Sequence, residues 1–366
     1  MNSDEIWYWL ALKQIPRLAA HKKVALVEKI GIRALFTLPQ KELKELGLTL
    51  LQQTAILHPD VQKIDQIIAS AKQCCQLITY QDEAYPRLLK QIYDPPLLLF
   101  YRGNISLLKE RQIAIVGSRN ASIAGRETAS LIARELSQQN LTVTSGLAIG
   151  IDGAAHRGAL AVSGKTIAVV ATGLDRVYPS RHRAMETDII NLGGLVISEF
   201  QPGVQPKPGN FPKRNRLISG LSEGVVVIEA EIKSGSLITA RCALEQNRDV
   251  FAVPSSINNP GAKGCHHLIK QGAKLIESAA DILDELDFPQ VSGHINMNEE
   301  KGEKNCQQDL FIDPLLASVG YETTPVDTVV SRSKLPTDEV LTRLTMLELR
   351  GLVSAVPGGY LRLNRG

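Results

Sequence analysis

The chain predicts an α/β fold built on a doubly wound, mostly parallel sheet, with a small helical module before it and a winged helix after it. Two observations carry the central domain: short runs rich in β-branched residues between about 111 and 285, and helix-length segments with one apolar stripe between them. A third, the polar and aperiodic stretch 287–309, sets a last globular segment apart.

Residues 4–70 read as short helices with tight breaks: 6–10, then 23–30 ended by Gly31, then 35–46 ended by Gly47. Lys29-Ile30-Gly31-Ile32 has the form of hairpins that touch DNA backbone, but a glycine there serves first as a helix C-cap. Strands follow at 113–116, 141–144, 166–170, 195–197, 225–228 and 250–253. Between the first two, Ala129, Ile132, Ala133 and Leu136 recur at helical spacing, as Leu237, Ala240 and Leu244 do later. Beyond the linker, 325–332 suits a short helix, and Pro336-Thr337-Asp338-Glu339 opens a longer one with Val340, Leu344 and Leu347 on one face. Two short runs, 352–355 and 360–363, flank the turn Pro357-Gly358-Gly359 and complete a β-wing. The division expected is a helical module at 1–75, the α/β domain at 76–286, a flexible linker at 287–309 and a winged helix at 310–366.

Bulk composition narrows the function less. With 366 residues, 44% hydrophobic and 22% charged, the chain has the make-up of globular domains and none of disordered or fibrous ones. A net charge of +3 announces no polyanion partner, so a nucleic-acid reading must rest on local clustering. Five cysteines without Cys-x-x-Cys spacing fit neither a disulfide framework nor a zinc site. The start Met1-Asn2-Ser3-Asp4-Glu5 lacks the pattern of a secretion signal, and nowhere do 18 apolar residues run together. The expectation is a cytoplasmic protein without a membrane span.

Chemistry concentrates where strands run into helices. The first strand leads into Gly117-Ser118-Arg119-Asn120-Ala121-Ser122 and then Gly125-Arg126, a small-residue loop whose amides and guanidiniums suit a phosphate. It is neither a dinucleotide fingerprint nor a P-loop. The second strand ends at Ser145-Gly146, where glycines allow close approach, and Asp152 and His156 stand four residues apart on the following helix, near enough to hydrogen-bond. Phe211-Pro212-Lys213-Arg214-Asn215-Arg216 puts three cations in four residues beside an aromatic ring, the recipe for a single strand of nucleic acid. Cations at a helix N-terminus oppose its dipole, and an anion there would relieve them. Ser234-Gly235-Ser236 opens another helix with small residues and suits a second phosphate. Two anion sites on one sheet edge point to a polymeric phosphate backbone. His266 and His267 have no ligand pattern around them, so no metal is expected.

Taken in order, Gly117-Ser118-Arg119, Ser145-Gly146-x-Ala148-x-Gly150-Ile151-Asp152, Gly173-Leu174-Asp175 with Tyr178-Pro179, Phe211-Pro212-x-Arg214-Asn215-Arg216, Ser234-Gly235-Ser236 with Thr239-Ala240-Arg241, and Leu268-Ile269 with Gly272-Ala273 resemble the DprA/Smf family. The resemblance implies an extended Rossmann-like core, a SAM- or HhH-like N-terminal module, a homodimer, no catalytic turnover and no cofactor. It implies binding of single-stranded DNA and loading of the RecA recombinase in natural transformation and DNA recombination. By position the DNA-contact role falls on Gly117, Ser118, Arg119, Arg126, Ser145, Gly146, Phe211, Lys213, Arg214, Asn215, Arg216, Ser234, Gly235 and Ser236. The chain departs from the family where Val253-Pro254 is followed by Ser255 rather than Gly, and where the stretch between Gly264 and Leu268, which usually holds Asn, reads Cys265-His266-His267, which bears on the geometry of the later loops.

Two rivals belong to other classes. The core also resembles nucleotide-processing hydrolases of the lysine-decarboxylase-like group; the Pro-Gly-Gly-x-Gly-Thr loop of that group is missing, but Glu229 and Glu231 could serve as its carboxylate. A duplex-reading regulator would use 337–350, whose net charge of −1 is wrong for a groove reader.

Overall fold

The computed structural model describes residues 3–286 and 314–363. The linker expected at 287–309 lies outside the described residues.

Nine strands form one sheet in the order β1-β2-β6-β5-β4-β3-β7-β8-β9. They are β1 (Gln76–Thr79), β2 (Leu98–Gly103), β3 (Gln112–Gly117), β4 (Thr142–Ser145), β5 (Thr166–Val169), β6 (Leu195–Ser198), β7 (Gly224–Ile228), β8 (Asp249–Ala252) and β9 (Lys274–Leu275). From β6 across to β9 every pairing is parallel, and β3 through β8 are buried almost throughout, as strands covered on both faces must be. The chain runs outward from β3 to β6 and then returns to the other side of β3 as β7, so the order reverses between β3 and β7. That reversal opens a crevice at the carboxyl ends of the strands, where open sheets of this kind take ligands.

The sequence missed β1, β2 and β9. The first two pair antiparallel with each other, and β2 pairs antiparallel with β6, so the sheet is mixed at one end. A single core joins the helical module to this end: Trp9, Leu12, Leu35 and Ile64 belong to one cluster with Leu98, Phe100 and Val196. The helix expected at 35–46 is instead two, Ile32–Leu35 and Gln40–Glu45, because Pro39 interrupts the pattern. Gly31, at φ 89°, ends the helix Ala20–Ile30, which is its capping role.

At the other end of the chain, helices Val326–Ser333 and Thr337–Leu349 pack with β10 (Val353–Val356) and β11 (Gly359–Arg362) around Val329, Val340, Leu344 and Val353. This is a winged helix with its own core. Arg332 reaches from it to Glu127, 2.7 Å away on the helix Ile123–Gln138. No described helix is long and apolar enough to cross a membrane.

Candidate nucleic-acid interface

The carboxyl edge of the sheet carries a cleft of about 390 Å³, walled by Arg119 from the loop after β3, Tyr178 from the loop after β5, Lys207 and Phe211 from the segment after β6, and Gly235 and Ile238 from the helix after β7. Phe211 is its centre. The Arg119 guanidinium lies 4.8 Å from the middle of that ring and the Tyr178 ring 5.9 Å from it. A cation held over an aromatic face is attracted by the ring's quadrupole, so Arg119 is pre-set beside an apolar platform. Lys207 and Lys213 are exposed near it.

The basic segment does not act as one patch. It forms the first turns of the helix Asn210–Leu221, and a helix rotates each successive side chain by about 100°. Lys213 faces solvent. Arg214 points inward, is 4% exposed, and donates through Nη1 to the Gly146 carbonyl at 2.6 Å and to the Val169 carbonyl, while its Nε donates to Asn215 Oδ1 at 3.1 Å. Burial lowers its pKa to about 10, and the nearby Asp152 carboxylate opposes that shift. Arg216 pairs with Glu199 at 2.6 Å and Asp94 at 3.4 Å, both within the α/β domain. The cationic cluster that the sequence suggested is therefore corrected to one outward lysine, one buried staple and one arginine paired with carboxylates of its own domain.

Other expected contacts are likewise turned to internal work. Ser145 is fully buried and donates to the Ile115 carbonyl at 2.6 Å. Gly146 is glycine because a Cβ there would stand 2.5 Å from the Arg214 guanidinium. Asn215 lines the cleft and donates to the Gly235 carbonyl at 3.1 Å, which ties two of the walls together. Ser234 and Ser236 bond each other through their hydroxyls at 2.8 Å, and of this loop only Gly235 lines the cleft. Arg126 is half-buried on the helix after β3 and is not among the walls.

Asp152 and His156 do not pair. Asp152 accepts from the Ala148 amide at 3.3 Å, and His156 Nδ1 lies 2.7 Å from the Thr166 hydroxyl. Thr166 donates its proton to the Val143 carbonyl, which leaves it an acceptor for the histidine, so the ring carries its proton on Nδ1 by this network.

Several donors of the loop after β3 are bonded within the chain. Ser118 N donates to the Glu229 carbonyl at 2.7 Å, Ser122 N to Glu229 Oε2 at 2.7 Å and Ser122 Oγ to Glu229 Oε1 at 2.5 Å. Asn259 adds a third donor to that carboxylate at 3.1 Å. A carboxylate of the chain itself thus accepts from the loop where small residues suggested a phosphate. Glu229, one of the two carboxylates the hydrolase reading could use, is 8% exposed with all these donors around it, while Glu231 is exposed. Ser255 accepts from Asn259 through its hydroxyl at 3.2 Å and through its carbonyl lies 2.9 Å from His266 Nε2, so both departures from the family pattern sit in one bonded loop. Lys207, Tyr178 and Ile238 were not among the expected site residues; Tyr178-Pro179 stood in the motif set, and Lys207 lies four residues before the basic segment that opens at Phe211.

Among the described residues no group of three or more metal-ligating side chains comes together.

Comparison with known proteins agrees across all three modules. The family model of DNA recombination-mediator protein A matches residues 76–287, that of the DprA winged helix domain 312–359, and that of the SMF/DprA SAM domain 1–69. Protein Smf of Escherichia coli K12 is 42% identical over 98% of the chain and 96% of its own length, and DNA processing protein DprA of Streptococcus pneumoniae is 50% identical over 57% of the chain and 73% of its own. The solved structure of the Streptococcus pneumoniae protein superposes with a TM-score of 0.67 at 38% identity, covering 76% of this chain and 97% of that one. Helicobacter pylori DNA processing protein A, solved for its single-stranded DNA binding mode, superposes with a TM-score of 0.52 at 30% identity, covering 58% and 95%. The chain belongs to the DprA/Smf family of DNA processing proteins.

Proposed function

We propose that the chain binds single-stranded DNA along the carboxyl edge of the sheet and loads the RecA recombinase onto it, in natural transformation and DNA recombination, as a cytoplasmic homodimer that turns over no substrate. The observation that carries this reading is the Arg119–Phe211–Tyr178 cluster with Lys207 in the same cleft and Lys213 exposed two residues after Phe211, which supplies a stacking surface and backbone cations. The DNA-contact set is Arg119, Lys207, Phe211 and Lys213 at the surface, with Gly117, Ser118, Ser145, Gly146, Arg214, Asn215, Ser234, Gly235 and Ser236 shaping the cleft from behind. A single-strand mode in the Helicobacter pylori relative supports the choice of polymer.

Anisotropy titration of labelled oligothymidine, single-stranded and then duplexed, tests this with wild type, Arg119→Ala and Lys207→Ala/Lys213→Ala at two salt concentrations. A single-strand preference lost in both variants supports the cleft, and RecA filament assembly on the same strands then reads the loading step. Equal binding by the variants, or no preference for single strands, overturns it.

A further inference from the structure

The turn that carries Arg119 is held at both ends by one residue. Glu229 follows β7 with a left-handed backbone, φ 48°, which a side chain adopts only under constraint. Its carbonyl accepts from Ser118 N, and its carboxylate accepts from Ser122 N and Ser122 Oγ. Arg119 lies between those two anchors.

The carboxylate also sits at the start of the helix Ile123–Gln138. Ser122 caps that helix by accepting from Gly125 N at 2.9 Å, and a Cβ on Gly125 would stand 2.5 Å from the Glu229 carboxyl carbon. Gly117 is under the same demand, since a Cβ there would meet the Ile228 carbonyl at 1.9 Å. Small residues, free amides and a helix dipole at the reversal point of a doubly wound sheet are the ordinary receptor for a nucleotide's phosphate. Here the negative charge comes from within the chain.

We infer that Glu229 is a resident anion in the nucleotide-phosphate seat of the fold, and that it is the positioning residue that fixes Arg119 over Phe211. This rests on the single-strand reading for its effect on DNA, while the occupation of the seat stands on the bonds alone. Two consequences follow. A free nucleotide finds its seat filled, so phosphates are taken only along the outer cleft, as a polymer presents them. The loop bearing Arg119 is bound through Glu229 and Asn259 to the loop after β8, so three loops of the sheet edge move as one.

The test is Glu229→Ala, with Glu229→Gln as the isosteric partner that loses the charge. In each, oligothymidine affinity is measured in chloride and again with chloride replaced by formate at constant ionic strength, and thermal melting is followed in the same two salts. Loss of several charge-assisted hydrogen bonds should weaken binding by roughly tenfold in both variants. Formate, small enough to re-enter the seat, should restore affinity and raise the melting temperature in Glu229→Ala, and leave wild type and Glu229→Gln unmoved. Wild-type affinity in both variants, or no response of Glu229→Ala to formate, overturns the inference. If Glu229→Ala does not fold, wild-type affinity in Glu229→Gln overturns it and roughly tenfold loss upholds it. If wild type itself ignores single strands, the formate-dependent melting still decides whether the seat is an anion's, and only the DNA reading falls.

Discussion

The Arg119 guanidinium, from the loop after β3, and the Phe211 ring, from the first turn of the helix Asn210–Leu221, rest 4.8 Å apart in the wall of the cleft. The two halves of the pair do different work on a strand, and salt separates them. Phe211→Ala removes a stacking face and should weaken single-strand binding by roughly 1 to 3 kcal/mol per stacked base with no change in salt dependence. Arg119→Ala removes a phosphate contact and should lower the slope of log affinity against log salt by about 1. Anisotropy titrations across a salt series check both, and a Phe211→Ala variant with an altered slope would contradict the division.

Neighbouring cations should also part company in stability. Arg214 holds the Gly146 and Val169 carbonyls from inside the protein and faces a buried Asp152 whose own pKa burial raises. Arg214→Met leaves two buried carbonyls without their donor and removes the cation opposite the buried Asp152, a loss of about 3 to 5 kcal/mol. Lys213→Ala, at an exposed position, should stay within about 0.5 kcal/mol of wild type. Denaturant unfolding of the two variants measures the contrast; equal midpoints would mean the buried network contributes nothing.

Those two residues also show what a linear reading can and cannot deliver. The β-branched runs of 113–116 and 225–228 announce central strands because a strand buried on both faces needs an unbroken apolar run. Strand β1, Gln76–Thr79, has no such run and gains its place only by pairing with β2, so tertiary context decided it. In the site, residue types were legible and directions were not. Three cations in four residues look like one patch on paper, yet the helix sends Lys213 to solvent, Arg214 to the core and Arg216 to the carboxylates of Glu199 and Asp94. Glu229 was the reverse case: a carboxylate weighed as chemistry proves to be held by Ser122 and Asn259, partners 107 and 30 residues away that no local spacing announces.

Acid should loosen the fold through His156. The ring is wholly buried, its Nε2 has no partner among the described residues, and burial pushes its pKa from the ordinary 6.5 down to about 3. The unfolded chain therefore takes up this proton near pH 6.5 while the folded chain refuses it until about pH 3. Stability from this ring is complete above pH 6.5 and falls as pH drops through the window, by up to about 1.4 kcal/mol per pH unit for one site. His182, whose pKa burial also lowers, adds in the same direction. Urea unfolding at pH 7, 6 and 5 should show the decline, and His156→Leu should flatten it by one proton; an unchanged slope in that variant would place the acid sensitivity elsewhere.

The winged helix should prove separable from single-strand binding. Its core of Leu315, Val329, Val340, Leu344 and Val353 is its own, and the ion pair Arg332–Glu127 ties it to the sheet domain. Glu127 is 55% exposed, and ion pairs of that kind contribute about 0 to 1 kcal/mol. The helix Thr337–Leu349 carries Asp338 and Glu339 in its first turn, which suits the helix dipole but would repel the backbone of a duplex. A chain ended at residue 286 should then bind oligothymidine within about twofold of full length, because every wall of the cleft lies before that point and surface pairs are worth little. Full-length Arg332→Ala should do the same. A large loss on truncation that Arg332→Ala reproduces would instead mean that this one pair seats the winged helix against the DNA path, at the start of the helix that follows Arg119.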